Sequence, residues 1–333
     1  MRGRRALLIL TVSVGPLVAL GTVVTAHQSS PGPVAALVAG PMVAAHPDLD
    51  VTVVYAARTV QRRGWETPRD AIYLRGLTLP LTRVLHHDYA LTPGVWPLLS
   101  RLRPEVVVVG GWSVLATQLA ILWCRLHRVP YLLMADNTLL DARPAWVRAL
   151  KRIVLRGIVP QAAGTLVPGS LAREHVLHYG ARPDRVVRFP LTIDVAAFGR
   201  RVDAARRRRS QTEGFVVLHV GRLIAQKGVD VLVRAAAAAG VALHVAGDGP
   251  ERPALERLAS EVGARTTFAG ELSGDALVDA YAGADVFALA SRRETWGVVV
   301  NEAAAAELPL VLSDRVGAAV QGRVLEQVEE RLG

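Results

Sequence analysis

Short apolar runs alternate along this chain with longer amphipathic stretches, the pattern left by strands and helices following one another in βα order. A first strand is predicted at residues 23–26, followed by the turn-rich loop His27-Gln-Ser-Ser-Pro-Gly-Pro33, an apolar helix over 34–45 and a strand over 50–55. Residues 58–90 lack any period and read as a basic surface loop. The adjacent His86 and His87 in it would point in different directions, which makes a poor metal clamp. The alternation resumes with a helix over 96–102, a β-branched strand running into Gly110-Gly111, and a helix over 114–127. A strand over 129–134, helical residues within 146–156, a strand at 164–168 and a helix over 171–179 follow.

Residues 199–212, including Arg206 to Arg209, again show no apolar period and read as an exposed linker or a helix end, with the linker placed at 200–213. The second half then repeats the scheme. Strands are expected at 214–220, 241–246, 266–268, 286–289 and 310–312, with helices through 235–239, 252–262, 274–282 and 298–308. The fold class is therefore α/β, with two Rossmann-like domains at 21–199 and 214–333 facing across a cleft. Ligands of such sheets bind beyond the carboxyl ends of the strands.

Composition narrows the picture. With 51% hydrophobic and 20% charged residues the 333-residue chain falls outside the disordered class. Its single cysteine, Cys124, lies in an apolar run, so an internal disulfide is excluded and a small core residue is expected. The net charge of +10 suits an anionic substrate or an anionic membrane surface. Aromatic residues make up only 5% and no zinc-finger spacing occurs, so no nucleic-acid partner is expected.

The N-terminus carries two readings. Arg2, Arg4 and Arg5 precede an uncharged run over 6–26 that, as a helix, is long enough to cross a ~30 Å hydrocarbon layer. Alternatively, 1–20 is an extension and the first strand begins after Gly21.

Chemistry concentrates in the second half. Gly221-Arg-Leu-Ile-Ala-Gln-Lys-Gly228 follows a strand, and Arg222 and Lys227 place two cations beside the start of a helix, a combination suited to a diphosphate. The spacing is neither the dinucleotide glycine motif nor a Walker A loop. Gly247, Asp248 and Gly249 form a strand exit where the glycines either admit a ligand or simply turn the chain, and Asp248 either binds or caps. Glu294 and Glu302 would lie about 80° and ~12 Å apart on one helix, too far to share an atom. With Glu294 in the preceding loop and Glu302 inside the helix, they would face one ligand from different heights. A carboxylate suits a vicinal diol because it accepts two hydrogen bonds. Thr295, Trp296, Gly297 and Val298 join them, the amides after Gly297 being donors for phosphate oxygens.

Residues 214–320 resemble the nucleotide-binding domain of retaining glycosyltransferases with the GT-B fold, the family-4 type (glycosyl transferases group 1). The matching segments are Gly221-Arg222 with Lys227-Gly228, Gly247-Asp-Gly-Pro250, Ala284-Asp285, and Glu294 with Glu302 in Asn301-Glu-Ala303, in order and spacing. The first half resembles the acceptor domain more loosely, with Gly32 in a family-type first loop and Gly111 at a strand end. The resemblance implies transfer of a sugar from a nucleotide diphosphate sugar to a hydroxyl of a glycan or lipid-linked acceptor. It implies that the anomeric configuration is kept and that no metal or other cofactor is needed. Arg222 and Lys227 would neutralise the leaving diphosphate, Glu294 would contact the transferred sugar and Glu302 the ribose, with Gly221 among the donor contacts.

Two departures accompany the resemblance. The family's strand-end histidine is replaced at the candidate ends by Gly111-Trp112 and Asp136-Asn137, which makes Asp136 a substitute polar contact and His27 another. After Ala319 the family continues through further sheet and helix, so the C-terminal domain reads as shortened. The expected location is cytoplasmic, peripheral or N-terminally anchored at the inner face of the plasma membrane. The alternatives are a catalytically inactive relative that binds ligand or partner, and a sugar-nucleotide epimerase-like enzyme.

Overall fold

A computed structural model describes residues 5–11, 49–55, 72–74, 76–79, 89–112, 114–139, 145–189, 191, 193–208 and 214–318. These fall into two compact units, one ending at Leu191 and the other comprising the described residues from Ile193 onward.

The first unit contains β1 (Arg5–Thr11), β2 (Leu49–Tyr55), β3 (Ile72–Tyr73), β4 (Leu77–Leu79), β5 (Tyr89–Leu91), α1 (Val95–Leu102), β6 (Val106–Gly110), α2 (Leu115–His127), β7 (Tyr131–Met134), α3 (Ala145–Ile158), β8 (Gly164–Val167), α4 (Ser170–His178) and β9 (Val186–Arg188). Seven strands form one sheet in the order β3-β2-β1-β6-β7-β8-β9, every pair parallel, while β4 and β5 form a separate antiparallel pair. Val107 and Val109 are fully buried and Val108 nearly so, which is the reason four consecutive valines make a strand covered on both faces. Each such side chain contributes roughly 1.5–3 kcal/mol through burial. Cys124 is buried in this core, where desolvation pushes its thiol up to about 12.

The first unit corrects three expectations. Its first strand is Arg5–Thr11, registered against both β2 and β6, so residues 5–11 are sheet interior rather than extension. A single membrane-crossing helix over 6–26 is thereby ruled out, and among the described residues no helix is long and apolar enough to cross a membrane. The region expected as loop over 58–90 contains β3, β4 and the start of β5. The predicted strand at 23–26, the helix over 34–45, His27, Gly32 and the His86-His87 pair lie outside the described residues.

The second unit contains α5 (Val195–Arg208), β10 (Val216–Val220), α6 (Val229–Ala239), β11 (Ala242–Ala246), α7 (Arg252–Glu261), β12 (Thr266–Gly270), α8 (Gly274–Ala282), β13 (Val286–Leu289), α9 (Val298–Ala305) and β14 (Leu310–Leu312). Its sheet is wholly parallel in the order β12-β11-β10-β13-β14, so the winding reverses between β10 and β13. That reversal opens the crevice in which doubly wound sheets bind ligands.

The linker reading of 200–213 is corrected over its first part, because residues up to Arg208 complete α5 and the arginines form its end, as in the helix-end alternative. Phe198 on α5 meets Tyr281 edge-on at 5.4 Å, and Arg206 donates to the Ala306 carbonyl at 2.6 Å. A Cβ on Gly199 would stand 2.9 Å from the Ala305 carbonyl, so the glycine lets α5 approach the end of α9. Arg200, Arg201, Arg207 and Arg208, which hide the helical period, are exposed and Arg206 is half-buried, while Val202 and Ala205 are buried. Residues 319–333 lie outside the described residues.

Candidate active site

The two strands that flank the reversal in the second unit deliver the charged residues. The turn after β10 runs through Gly221 and Arg222 to a short 3-10 turn at Ala225–Lys227, and the loop after β13 carries Arg292 to Gly297. Lys227 and Glu294, far apart in sequence, form an ion pair, and their side chains are 19% and 18% exposed. A second tie holds the same loops together. Arg292 grips Asp230 with two hydrogen bonds of 2.6 and 2.9 Å and also donates to the Ala225 carbonyl at 2.6 Å. The guanidinium holds the Asp230 carboxyl below its ordinary range. At Gly228 φ is +64°, and a Cβ there would run into the Ala290 carbonyl, so α6 starts directly against the end of β13.

Gly297 has φ +93° and opens α9; a Cβ on it would lie 3.3 Å from Glu294 Cγ. Lys227, Glu294 and Gly297 are thus brought together at one place, with α9's first-turn amides at the same end. Arg222 sits on the same turn, exposed, with no ion pair to any described residue. Thr295 is half-buried. Trp296 is 5% exposed, so its ring belongs to the packing rather than to an open ligand face.

The segment after β14 braces this loop. Glu294 donates its amide to the Arg315 carbonyl at 3.0 Å, and the amides of Gly317 and Ala318 reach the carbonyls of Glu294 and Trp296, each at 2.9 Å. Gly317 lies so close to the Thr295 carbonyl that no side chain fits.

The glycines after β11 have a packing role that sequence left open. A Cβ on Gly247 would collide with the Gly221 carbonyl, and one on Gly249 with the backbone of Leu223. The Gly221 amide donates to the Ala246 carbonyl and the Leu223 amide to the Asp248 carbonyl, both at 2.9 Å. Asp248 caps the Gly249 amide at 2.6 Å and faces Arg252 at 3.7 Å, which favours its turn reading. These residues therefore set the position of the Gly221-Arg222 turn.

Glu302 follows Gly297 along α9 and accepts a hydrogen bond of 2.8 Å from the Tyr281 hydroxyl. Burial pushes its carboxyl up to about 7, against the opposing effect of that bond. Tyr281, itself buried, also reaches the Val299 carbonyl at 3.3 Å. Sequence reasoning missed Tyr281 because an aromatic on the inner face of α8 looks like any core residue. It also missed His219, fully buried on β10, whose Nδ1 lies 3.2 Å from the Ala288 carbonyl. Burial and then the charge of Lys227 push that imidazole down to about 4, so it is neutral and Nδ1 donates to the carbonyl. Its Nε2 has no partner among the described residues and stands beside Gly221.

Gly111, Val298 and Asp136 complete the expected set. Val298 is the first residue of α9. Gly111 and Asp136 belong to the first unit. Gly111 has φ +85°, and its amide bonds the Met134 carbonyl at 3.1 Å. Asp136 edges an apolar hollow lined by Met134, Leu166, Phe189 and Leu191, and burial raises its carboxyl above the ordinary range. Beside Gly111, the Trp112 ring stacks on His175 at 5.7 Å. Among the described residues no cluster of His, Cys, Asp and Glu has the makings of a metal site.

Residues 202–322 match the family model described as glycosyl transferases group 1. A GDP-mannose-dependent alpha-mannosyltransferase of Mycobacterium tuberculosis is 35% identical over 247 residues, covering 72% of this chain and 61% of that protein. The sulfoquinovosyl transferase SQD2 of Arabidopsis thaliana is 28% identical over 77% of this chain and 49% of its own length. The chain thus spans about half to three fifths of these relatives. Among solved structures, sucrose-phosphate synthase from Thermosynechococcus elongatus superposes with a TM-score of 0.69 at 18% identity, covering 99% of this chain and 90% of that one. Anabaena HepE, solved with UDP, gives 0.65 at 16% identity over 95% and 82%. These likenesses bear out the GT-B fold class. With its charged loops at the sheet reversal and the family match running from α5 to past β14, the second unit belongs to the glycosyl transferases group 1 family.

Proposed function

We propose that this chain transfers a sugar from a nucleotide diphosphate sugar to a hydroxyl of a glycan or lipid-linked acceptor, with retention of anomeric configuration. The observation that carries the reading is the Lys227–Glu294 pair at the mouth of the second sheet, beside Gly297 and the start of α9. Lys227 and the exposed Arg222 meet the diphosphate and stabilise the charge that develops on its oxygen as the bond to the sugar breaks. The α9 amides add donors, and fixed cations with amides supply the stabilisation that a divalent cation supplies elsewhere. Glu294 takes hydroxyls of the transferred sugar, while Glu302, steadied by Tyr281, takes the ribose diol. Asp136, in the acceptor-side unit, provides a polar contact to the acceptor. The GDP-mannose in one relative's name and the UDP bound to HepE support a nucleotide diphosphate sugar as the donor class.

The test is a panel of UDP- and GDP-sugars scored by heat stabilisation and slow nucleotide release, repeated with Lys227→Ala. The variant is expected to lose about 100-fold in affinity for the diphosphate and only a few-fold for the free nucleoside. Equal losses for the two ligands, or no stabilisation of the parent by any nucleotide diphosphate, would overturn the assignment.

A further inference from the structure

Lys227 stands on a 3-10 turn of only three residues, Ala225–Lys227. So short a turn has few bonds of its own: the Lys227 amide meets the Ile224 carbonyl at 2.9 Å, and the Gly228 amide meets that of Ala225 at 3.4 Å. Glu294 aims the head of the lysine's flexible four-carbon stem. On the proposed reading, however, that carboxylate turns to the sugar when the lysine turns to the diphosphate. The aim then depends on where the turn's backbone is held.

One residue of the facing loop holds it. Arg292 donates its amide to the Gln226 carbonyl at 2.8 Å, and its guanidinium donates to the Ala225 carbonyl at 2.6 Å and to the two Asp230 oxygens at 2.9 and 2.6 Å. These attachments fall on residues 225, 226 and 230 and so bracket Lys227. Asp230 lies in the first turn of α6, which ties the turn to the helix as well as to the loop after β13. The Arg292 and Asp230 side chains are 50% and 42% exposed, and an ion pair so open to water adds little to overall stability. A planar fork that binds a carboxylate at two points and a carbonyl at a third fixes direction as well as distance. The consequence of the cluster is therefore geometric.

We propose that Arg292 is a positioning residue that acts through Lys227, holding the 225–227 turn so that the ammonium is already aimed at the donor diphosphate. This rests on the donor-site reading and adds to it a residue outside the substrate contacts. Asp230 separates the role from a direct phosphate contact by sign. Removing its carboxylate takes a negative charge from beside an anion site, which by charge alone tightens anion binding. Loss of the clamp instead frees the turn and weakens it.

The full chain and its Arg292→Ala, Arg292→Lys and Asp230→Ala variants are compared in two ways. The first needs no ligand. Lys227 and Lys151 are the only lysines in the sequence, so acylation by dilute acetic anhydride, read by peptide mass spectrometry, follows Lys227 against Lys151 of the first unit as internal reference. The Lys227 rate is expected to rise about fivefold in Arg292→Ala and Asp230→Ala. The second is titration with UDP and GDP against uridine and guanosine. Both variants should lose about tenfold for the diphosphates and stay within about twofold for the nucleosides, and Arg292→Lys, which keeps the charge without the fork, should recover little. Unchanged Lys227 labelling in both alanine variants would overturn the proposal. So would full recovery by Arg292→Lys, or Asp230→Ala binding the diphosphates more tightly while Arg292→Ala binds them less, which would make Arg292 a direct contact. If the parent ignores both diphosphates the donor-site reading fails, while the ligand-free labelling still upholds or overturns the clamp.

Discussion

The exits of β10 and β13 and the exits of β6 and β7 occupy equivalent ends of two parallel sheets, yet they are built differently. In the second unit the loops are crossed by ion pairs, Lys227 with Glu294 and Arg292 with Asp230, and glycines are packed backbone to backbone beneath them. In the first unit the exits carry Gly111, with no atom of the described residues within 4 Å of where a Cβ would stand, and Asp136 beside an apolar hollow. One architecture therefore supports a tightly braced polar site and a more open one, and the loops rather than the sheet decide which.

The sharpest way to break this contrast is to add one methyl group to each exit. Gly247→Ala drives a Cβ into the Gly221 carbonyl and is expected to destabilise the protein by about 3 kcal/mol. Gly111→Ala meets no atom of the described residues and carries the strain of its positive φ, about 1 kcal/mol. Denaturant melts of the two variants compare them directly, and equal losses would erase the distinction between a braced and an open exit.

A smaller effect comes from protons. Glu302 binds its proton more tightly folded, at about 7, than its ordinary 4.5. Between those values the folded chain holds more protons, so this stabilising contribution is complete below the lower value and is lost as pH rises through 7. Stability of the parent measured against Glu302→Gln should accordingly decline by roughly 2 kcal/mol from acid to mildly alkaline pH. In Tyr281→Phe the bond that opposes the shift is gone, and the midpoint should move to still higher pH. A flat difference curve would contradict the assigned burial.

The smallest effect is expected in the first unit. Asp136→Asn removes a carboxyl that burial disfavours when charged, and should raise stability at neutral pH by about 0.5 kcal/mol. Donor affinity by calorimetry should stay within about twofold while transfer slows, because the residue is proposed to meet the acceptor. A large drop in donor affinity would assign it to the other substrate.

Much of the second unit was legible in its apolar runs, since β10, β11, β13 and β14 fall within two residues of their predicted positions. β13, with Phe287, Ala288 and Leu289 all buried, is covered on both faces and leaves a continuous apolar stretch. Residues 5–11 were not nominated as a strand because they run into the uncharged stretch over 6–26, and only their pairing with β2 and β6 marks them out. Strand β9 escaped notice because Val186–Arg188 is short and half-exposed at the sheet edge. Glu294, Lys227 and Gly297 could be nominated by type and spacing, but not the pairing of the first two, since such contacts arise only when strands 216–220 and 286–289 become neighbours. Tyr281 and His219 left no local signal, their importance lying in the atoms they touch after packing.

The Lys227–Glu294 pair also bears on what the pocket retains. On the proposed reading, a phosphate that drew the lysine away would strand the glutamate at a site only 18% exposed, and a spent nucleotide would bring no transferred sugar to replace the lost partner. An intact sugar donor, on the same reading, would offer its hydroxyls to that carboxylate in the same encounter. The Lys227–Glu294 pair would thus compete with the spent nucleotide but not with the intact donor, and so would bias turnover toward release.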